Sequence, residues 1–272
     1  MRKDEWTALT DLVDHRQVSS LVTESSLSEL FHENTKLHAA NTRSYGERIA
    51  AITRNPEMVQ TISQPYKVYS LSRPCELAPV AAESGLEQAI EARRSVRTYR
   101  SEAISRDDLG RLLHFAYGRT DKPGYFRAVA SGGALFPLEI YTIVLSGADL
   151  EAGIYHYGPE DHRLHLLRSG DFRSQVEEYV LLEGVTTDTA SALIVISGFF
   201  SRSTFKYQDR GYRMILMEAG AVAQNLGLVA TEMGWGGCLM GGFLDDQLNA
   251  LLGLDGLTEA ALLPMILGRP TP

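Results

Sequence analysis

Lys206 and Tyr207 are adjacent, between the aromatic run Gly198-Phe199-Phe200 and a long apolar stretch that starts near Arg210. A lysine beside a tyrosine offers a proton acceptor and a hydrogen-bonding partner for it, which is what general acid–base chemistry needs. Three other segments have residue types suited to holding a ligand. In Arg93-Arg94-Ser95-Val96-Arg97 the alternation puts Arg93, Ser95 and Arg97 on one side of an extended segment. Two guanidiniums and a hydroxyl there would grip an anion, each charge-assisted bond contributing about 1.5–3 kcal/mol. In Ser131-Gly132-Gly133-Ala134 the small residues let a backbone approach a flat ring closely and donate N–H groups to it. Near the C-terminal end, Leu239-Met240-Gly241-Gly242 supplies a second small-residue turn and Arg269 a further cation. Singly, these segments also read as a solvated pair, a basic turn and two loops. Together they read as an anion site, a cradle for a flat ring and a base.

Other chemistries lack their patterns. No G-x-G-x-x-G opens a helix after a strand, and no G-x-x-x-x-G-K-[ST] occurs, so neither a Rossmann dinucleotide site nor a Walker phosphate loop is supported. His162 and His165 are three apart but have no cysteine or carboxylate in a ligand pattern, so a solvated hairpin is expected and no metal site.

The elements that must position these residues are legible in part. Residues 1 to about 55 read as helical and polar, with apolar positions such as Leu27, Leu30 and Phe31 spaced in threes and fours. Pro56, Pro65, Pro74 and Pro79 then crowd a stretch with no glycine before Gly85, which predicts an extended connector. Leu86 to Ala92 predicts a short helix. Ser105, with Asp108 three residues on, is a capping pattern ahead of Leu109, Leu112 and Leu113. Leu138–Leu145, Ala192–Ser197 and Leu262–Leu267 are strand-like, and Gly153–Tyr157 alternates like a half-exposed strand. Gly211 to Gly234 predicts a helix that is apolar almost all round and therefore buried. Trp235-Gly236-Gly237 reads as turns, and Asp245–Leu252 as a short amphipathic helix. Helices and strands in this mixture predict an α+β, three-layer sandwich.

The whole chain bounds the rest. Its 272 residues, 44% of them hydrophobic, suffice for a sizeable core, and 22% charged residues argue against wholesale disorder. A net charge of -8 argues against a general nucleic-acid binder, which needs a basic face, while a local basic patch can still serve one phosphate. The two cysteines, Cys75 and Cys238, form no framework and fit a reducing cytoplasm. The start, Met1-Arg2-Lys3-Asp4-Glu5, does not read as a signal peptide, and no uninterrupted apolar run approaches the roughly 18 residues of a membrane span.

Taken in order, these segments resemble the nitroreductase superfamily of flavin enzymes, and within it the SagB-type dehydrogenases that oxidise peptide thiazolines and oxazolines. The resemblance covers about residues 86 to 270. Arg93-Arg94-Ser95-Val96-Arg97 resembles the grip on the flavin phosphate, and Ser131 through Glu139 the serine-glycine loop against the isoalloxazine. Ala152–Tyr157 and Glu218-Ala219-Gly220 through Gln224-Asn225 also fit. Leu239-Met240-Gly241-Gly242-Phe243 resembles a proline-isoleucine-glycine-glycine-phenylalanine motif, and Gly268-Arg269-Pro270 the C-terminal arginine that returns to the phosphate. Phe31-His32-Glu33-Asn34-Thr35-Lys36 is similar to an N-terminal family segment. The chain departs at Ala130, where proline is frequent, at Ala221, where histidine is frequent, and at Leu239. Lys206-Tyr207 separates azoline oxidases from plain nitroreductases.

The resemblance implies a nitroreductase-like sandwich with a mixed central sheet, dimeric, as residues 86–272 behind an N-terminal extension and connector at 1–85. It implies FMN held by Arg93, Arg94, Ser95, Arg97, Ser131, Gly132, Gly133, Leu239, Met240, Gly241, Gly242 and Arg269. It also implies an azoline peptide as substrate, a cyclodehydratase as partner, and Lys206 and Tyr207 as the catalytic pair, their individual roles open. Aromatising an azoline removes a proton from the acidic ring carbon and a hydride that passes to the flavin. Burial of Lys206 against Phe199, Phe200 and Phe205 is expected to bring its pKa toward working pH, since desolvation disfavours the charged form. Two alternatives stay open: an NAD(P)H-dependent nitroreductase or quinone reductase of the same fold, and a catalytically silent scaffold subunit.

Overall fold

The computed structural model describes residues 26–62, 67, 70–71, 73, 75–121, 126–180, 184–185 and 187–271. The first 25 positions of the expected polar helical stretch, with Pro65 and Pro74 of the connector, lie outside the described residues.

Strand burial alternates between two helical layers. The strands are β1 (Tyr99–Arg100), β2 (Leu138–Val144), β3 (Gly153–Gly158), β4 (Arg163–Ser169), β5 (Ala192–Phe199), β6 (Gly236–Leu239) and β7 (Glu259–Pro270), in the order β1-β7-β5-β2-β3-β4 with β6 also on β7. Leu138, Ile140, Ile194, Ile196, Met265 and Leu267 face one layer. Tyr141, Ile143, Leu193, Val195 and Ile266 face the other. That is the period of two expected of a sheet covered on both sides. The first layer holds α5 (Arg106–Tyr117) and α8 (Asp209–Glu232), and the second holds α6 (Arg173–Tyr179) and α9 (Asp245–Leu252). The result is the expected α+β three-layer sandwich. Every ladder among the described residues is antiparallel, and parallel pairing is confined to the single bridges Ser95↔Gly237 and Ile104↔Gly147. The crossover through α8 joins β5 to β6, which run in the same direction but are separated by β7.

Local chemistry explains the element ends. α4 (Gly85–Ala92) starts at a capping box, Ser84 accepting from the Glu87 N–H while the Glu87 carboxylate accepts from Ser84. Ser105 caps α5 by accepting from the Asp108 N–H at 3.0 Å, as the sequence predicts. α1 (Leu27–Thr35) and α2 (Thr42–Thr53) precede α3 (Pro56–Ile62). α3 corrects the expectation that the connector is extended from residue 56. Proline tolerates the first turn of a helix, where its missing N–H has no partner to lose, and the Asn55 side chain accepts from the Met58 N–H at 3.1 Å. A second correction concerns Gly236 and Gly237, which pair in β6 instead of turning. A Cβ at Gly236 would lie 2.7 Å from Val96 Cγ2, and one at Gly237 2.9 Å from Met265 Sδ. These glycines mark close packing, a role that glycine in a strand often has.

α8, near its predicted span, is less buried than the sequence suggests. Ile215, Glu218, Ala219, Val222, Ala223, Leu226 and Ala230 are buried, whereas Leu216 and Met217 are 39% and 65% exposed. One face therefore packs and an apolar stripe is left open in the single chain. By length and composition α8 would suffice to cross a membrane, but its inner face is committed to α5 and the sheet.

Candidate active site

Gly133 lies where the two most informative sequence features meet. It sits in a single 3-10 turn (Gly132–Ala134) with φ 67°, ψ 19°, a left-handed conformation that glycine adopts without a Cβ penalty. A Cβ built there would lie 2.4 Å from Tyr207 Oη and 2.9 Å from Lys206 Nζ. The lysine–tyrosine pair and the serine-glycine loop, more than seventy residues apart in sequence, thus form one surface. The loop is also tied from below. Ser131 Oγ accepts from the Phe136 N–H at 2.9 Å, and a Cβ at Gly132 would lie 3.0 Å from Met214 Sδ on α8. The phenol and the ammonium thus pack directly on the Gly133 backbone, where only glycine leaves room for them.

Lys206 and Tyr207 end their own short helix, α7 (Ser201–Tyr207), where the sequence placed them simply ahead of the long one. The Lys206 ammonium is 5.1 Å from the centroid of the Tyr207 ring. Gln208, at φ 50°, ψ -144°, breaks α7 from α8. The expected aromatic shell around Lys206 is absent from the single chain. Lys206 is exposed and Phe205 is 61% exposed. Phe200 turns instead to His32 and Tyr212, and Phe199 stacks under the Arg202 guanidinium at 4.5 Å. Adjacent residues on a helix point about 100° apart, so the aromatic cluster of the sequence disperses in space.

Glu218 lies beneath the loop, 4% exposed on the inner face of α8. Tyr117 donates to it at 3.2 Å and itself accepts from the Leu138 N–H at 3.2 Å. Burial pushes the Glu218 carboxyl up, against the opposing pull of Ser131, Tyr117 and Arg127. The Arg127 guanidinium covers the Tyr117 and Phe136 rings at 4.5 and 4.7 Å. The sequence singled out neither Tyr117 nor Arg127. The usable clue was a carboxylate in the apolar middle of α8.

The residues expected to hold the phosphate lie toward the other half of α8. Val96 donates its N–H to the Gly237 carbonyl at 3.1 Å, Ser95 bridges Gly237, and a Cβ at Gly227 would lie 3.3 Å from Arg93 Cδ. Arg97 and Ser95 are exposed, and Arg97 lies close enough to Cys238 to pull against its burial-raised pKa. Arg94 folds back onto the Glu91 and Arg93 carbonyls at 2.6 and 2.8 Å. Arg269 is held by Glu102 at 2.8 Å and by the Met233 carbonyl at 3.0 Å, over the Trp235 ring at 4.3 Å. Leu239 is 44% exposed, Met240 is buried, and a Cβ at Gly241 would meet nothing within 4 Å. Gly227 lies about 20 Å along α8 from Met214 at 1.5 Å per residue. A single chain therefore presents the residues expected at the phosphate and those expected at the ring as two patches. Among the described residues no group of three or more His, Cys, Asp or Glu is placed to hold a metal ion.

The Nitroreductase family matches residues 90–269. A Methanocaldococcus jannaschii protein named as a nitroreductase is 36% identical over 191 residues, 70% of this chain and 94% of that one. The microcin B17-processing protein McbC of Escherichia coli is 32% identical over 165 residues, 58% of this chain and 60% of that protein. The structure of the E. coli microcin synthetase McbBCD complex with truncated pro-MccB17 superposes with a TM-score of 0.68 at 25% identity, covering 98% of this chain and 97% of that one. The cofactor of the nitroreductase family is FMN. The chain belongs to the nitroreductase family, and its resemblance within that family is to the SagB-type dehydrogenases.

Proposed function

We propose that this chain is an FMN-dependent oxidase that converts thiazolines or oxazolines in a peptide to thiazoles or oxazoles. The observation that carries the reading is the approach of Tyr207 Oη and Lys206 Nζ to the bare backbone of Gly133. An azoline held beside that pair would present its acidic carbon to those two side chains. FMN, when bound, supplies the two-electron acceptor for the hydrogen that leaves with its electron pair. Lys206 and Tyr207 serve the other hydrogen, which leaves as a proton, one side chain accepting it and the other orienting the acceptor or hydrogen-bonding the ring heteroatom. Arg93, Ser95 and Arg97 would hold the phosphate, with Arg94, Arg269 and the Leu239–Gly242 turn beside them. McbC is named for microcin processing and the superposed complex holds a pro-peptide, which supports a peptide substrate and a cyclodehydratase partner for this chain too.

A homodimer belongs to the same reading. The two patches lie at different ends of α8, and the stripe Leu216, Met217, Gly220 and Ala221 is open between them. Packing two such stripes together would bring one chain's ring side near the other's phosphate side. Within the stretch 1–85 that the reading takes as an extension, α1 docks on the start of α8, and the free thiols Cys75 and Cys238 suit a reducing cytoplasm. The M. jannaschii relative favours a second reading, hydride transfer from NAD(P)H to a nitroaromatic or quinone. Incubation of the FMN-loaded protein with a thiazoline peptide in air decides between them. The first reading expects product lighter by two hydrogens. Unchanged peptide alongside rapid NADPH oxidation would favour the second.

A further inference from the structure

α7 has seven residues and no side-chain N-cap, so its own hydrogen bonds cannot hold it over Gly133. Tertiary contacts must do so: Ser203 in its middle is 2% exposed against Gly211 of α8, and contacts beyond and at its two ends add to this. At the far end Asp209 accepts from the backbone and hydroxyl of Ser28 on α1, at 3.1 and 2.8 Å. At the near end Arg202 donates to Glu139 Oε1 and its guanidinium lies on Phe199. Glu139 is otherwise held by His156, whose Nε2 lies 2.8 Å from Oε2. Glu139 is 17% exposed and Arg202 34%, so the pair is shielded well beyond an ordinary surface bridge. Two consequences follow from where these residues stand. Arg202 and Lys206 are one turn apart on the same face, so fixing Arg202 fixes the rotation of α7 and the direction of Lys206. Glu139 belongs to the strand that leaves the Ser131–Phe136 loop, so one ion pair joins the helix bearing the base to the loop bearing the ring.

We propose that Glu139 and Arg202 are positioning residues that clamp α7, setting the distance of Lys206 and Tyr207 from the Gly133 surface. The inference rests on the acid–base role proposed for Lys206 and Tyr207. Burial works against an ionised Glu139, but His156 and Arg202 outweigh it and hold the carboxyl below its ordinary range. The clamp is therefore charged on both sides.

The test uses full-length, FMN-loaded protein carrying Arg202→Met, Arg202→Lys or Glu139→Gln. Amide hydrogen exchange of residues 203–208 reads the clamp without substrate. Arg202→Met should speed that exchange roughly tenfold or more, with β2, β5 and the body of α8 unchanged. kcat for azoline oxidation should fall about 10- to 100-fold with KM nearly constant, because misplacement by an ångström has that cost. Arg202→Lys, which keeps the charge, should recover part of both effects. Glu139→Gln keeps the shape and should reproduce the exchange result if Arg202→Met folds poorly. Unchanged exchange at 203–208 in Arg202→Met or Glu139→Gln would overturn the clamp. If the wild type oxidises no azoline, the functional reading fails, and the exchange result still decides whether α7 is held by this pair.

Discussion

At the residue scale, Lys206, Tyr207 and Gly133 do different jobs and separate by substitution. Lys206 is exposed, so Lys206→Ala should leave the melting temperature and FMN content nearly unchanged. Azoline oxidation should fall by about 10²–10⁴-fold, the usual contribution of a positioned acid or base. Tyr207→Phe isolates the hydroxyl, and if both serve one proton transfer the double variant is little worse than the worse single one. Kinetics of peptide turnover, normalised to flavin content, check all three. Gly133→Ala is steric. The new Cβ would meet Tyr207 Oη at 2.4 Å, at φ 67°. It should cost about 1 kcal/mol of stability and displace the pair, which urea melts and peptide turnover together would show. These residues were visible in the sequence because their types carry chemistry wherever they fall. Glu139, Arg202 and Glu218 were quoted in passing or missed, because a charged residue acquires its meaning only from what it faces.

At the element scale, the sequence resolved what local chemistry decides. The cap at Ser105, the short helix at Leu86–Ala92, the core strands β2, β5 and β7 and the long helix α8 all follow from spacing and side-chain type. α7 was missed because its seven residues make two turns at most, too few to show a helical period, and the side-chain partner of its Arg202, Glu139, is remote in sequence. β6 was misread because its glycines, demanded by Val96 and Met265, look like turn residues in isolation. α9 gives a prediction of its own. Burial raises the Asp245 carboxyl to about 6, partly offset by the Leu37 N–H it accepts and by Lys36. Between about pH 4 and pH 6 the native chain keeps a proton that the unfolded chain has released, so this group lowers stability as pH rises through that window. Asp245→Asn, still an acceptor for Leu37, should melt higher than wild type near neutral pH and level with it at about pH 4. Calorimetry at both pH values checks this, and equal melting near neutral pH would remove the argument.

At the scale of the whole molecule, the three-layer sandwich was legible because both sheet faces are lined by alternating apolar residues. The exposed stripe on α8 was not, because an all-round apolar helix reads as buried whether one chain or two covers it. If two chains build each site, light scattering should give about twice the 30.0 kDa chain mass. Inactive Lys206→Ala and Arg93→Ala chains, refolded together, should then regain roughly a quarter of wild-type activity, because half the dimers are mixed and each mixed dimer has one intact site. No recovery would place each site within one chain.

The account turns on which molecule reduces the flavin. Wild-type protein loaded with FMN, mixed anaerobically with a thiazoline peptide in one experiment and with NADPH in another, answers this through the flavin absorbance. The account predicts bleaching in a single turnover by the peptide and little or none by NADPH. Fast bleaching by NADPH with no response to the peptide would contradict it.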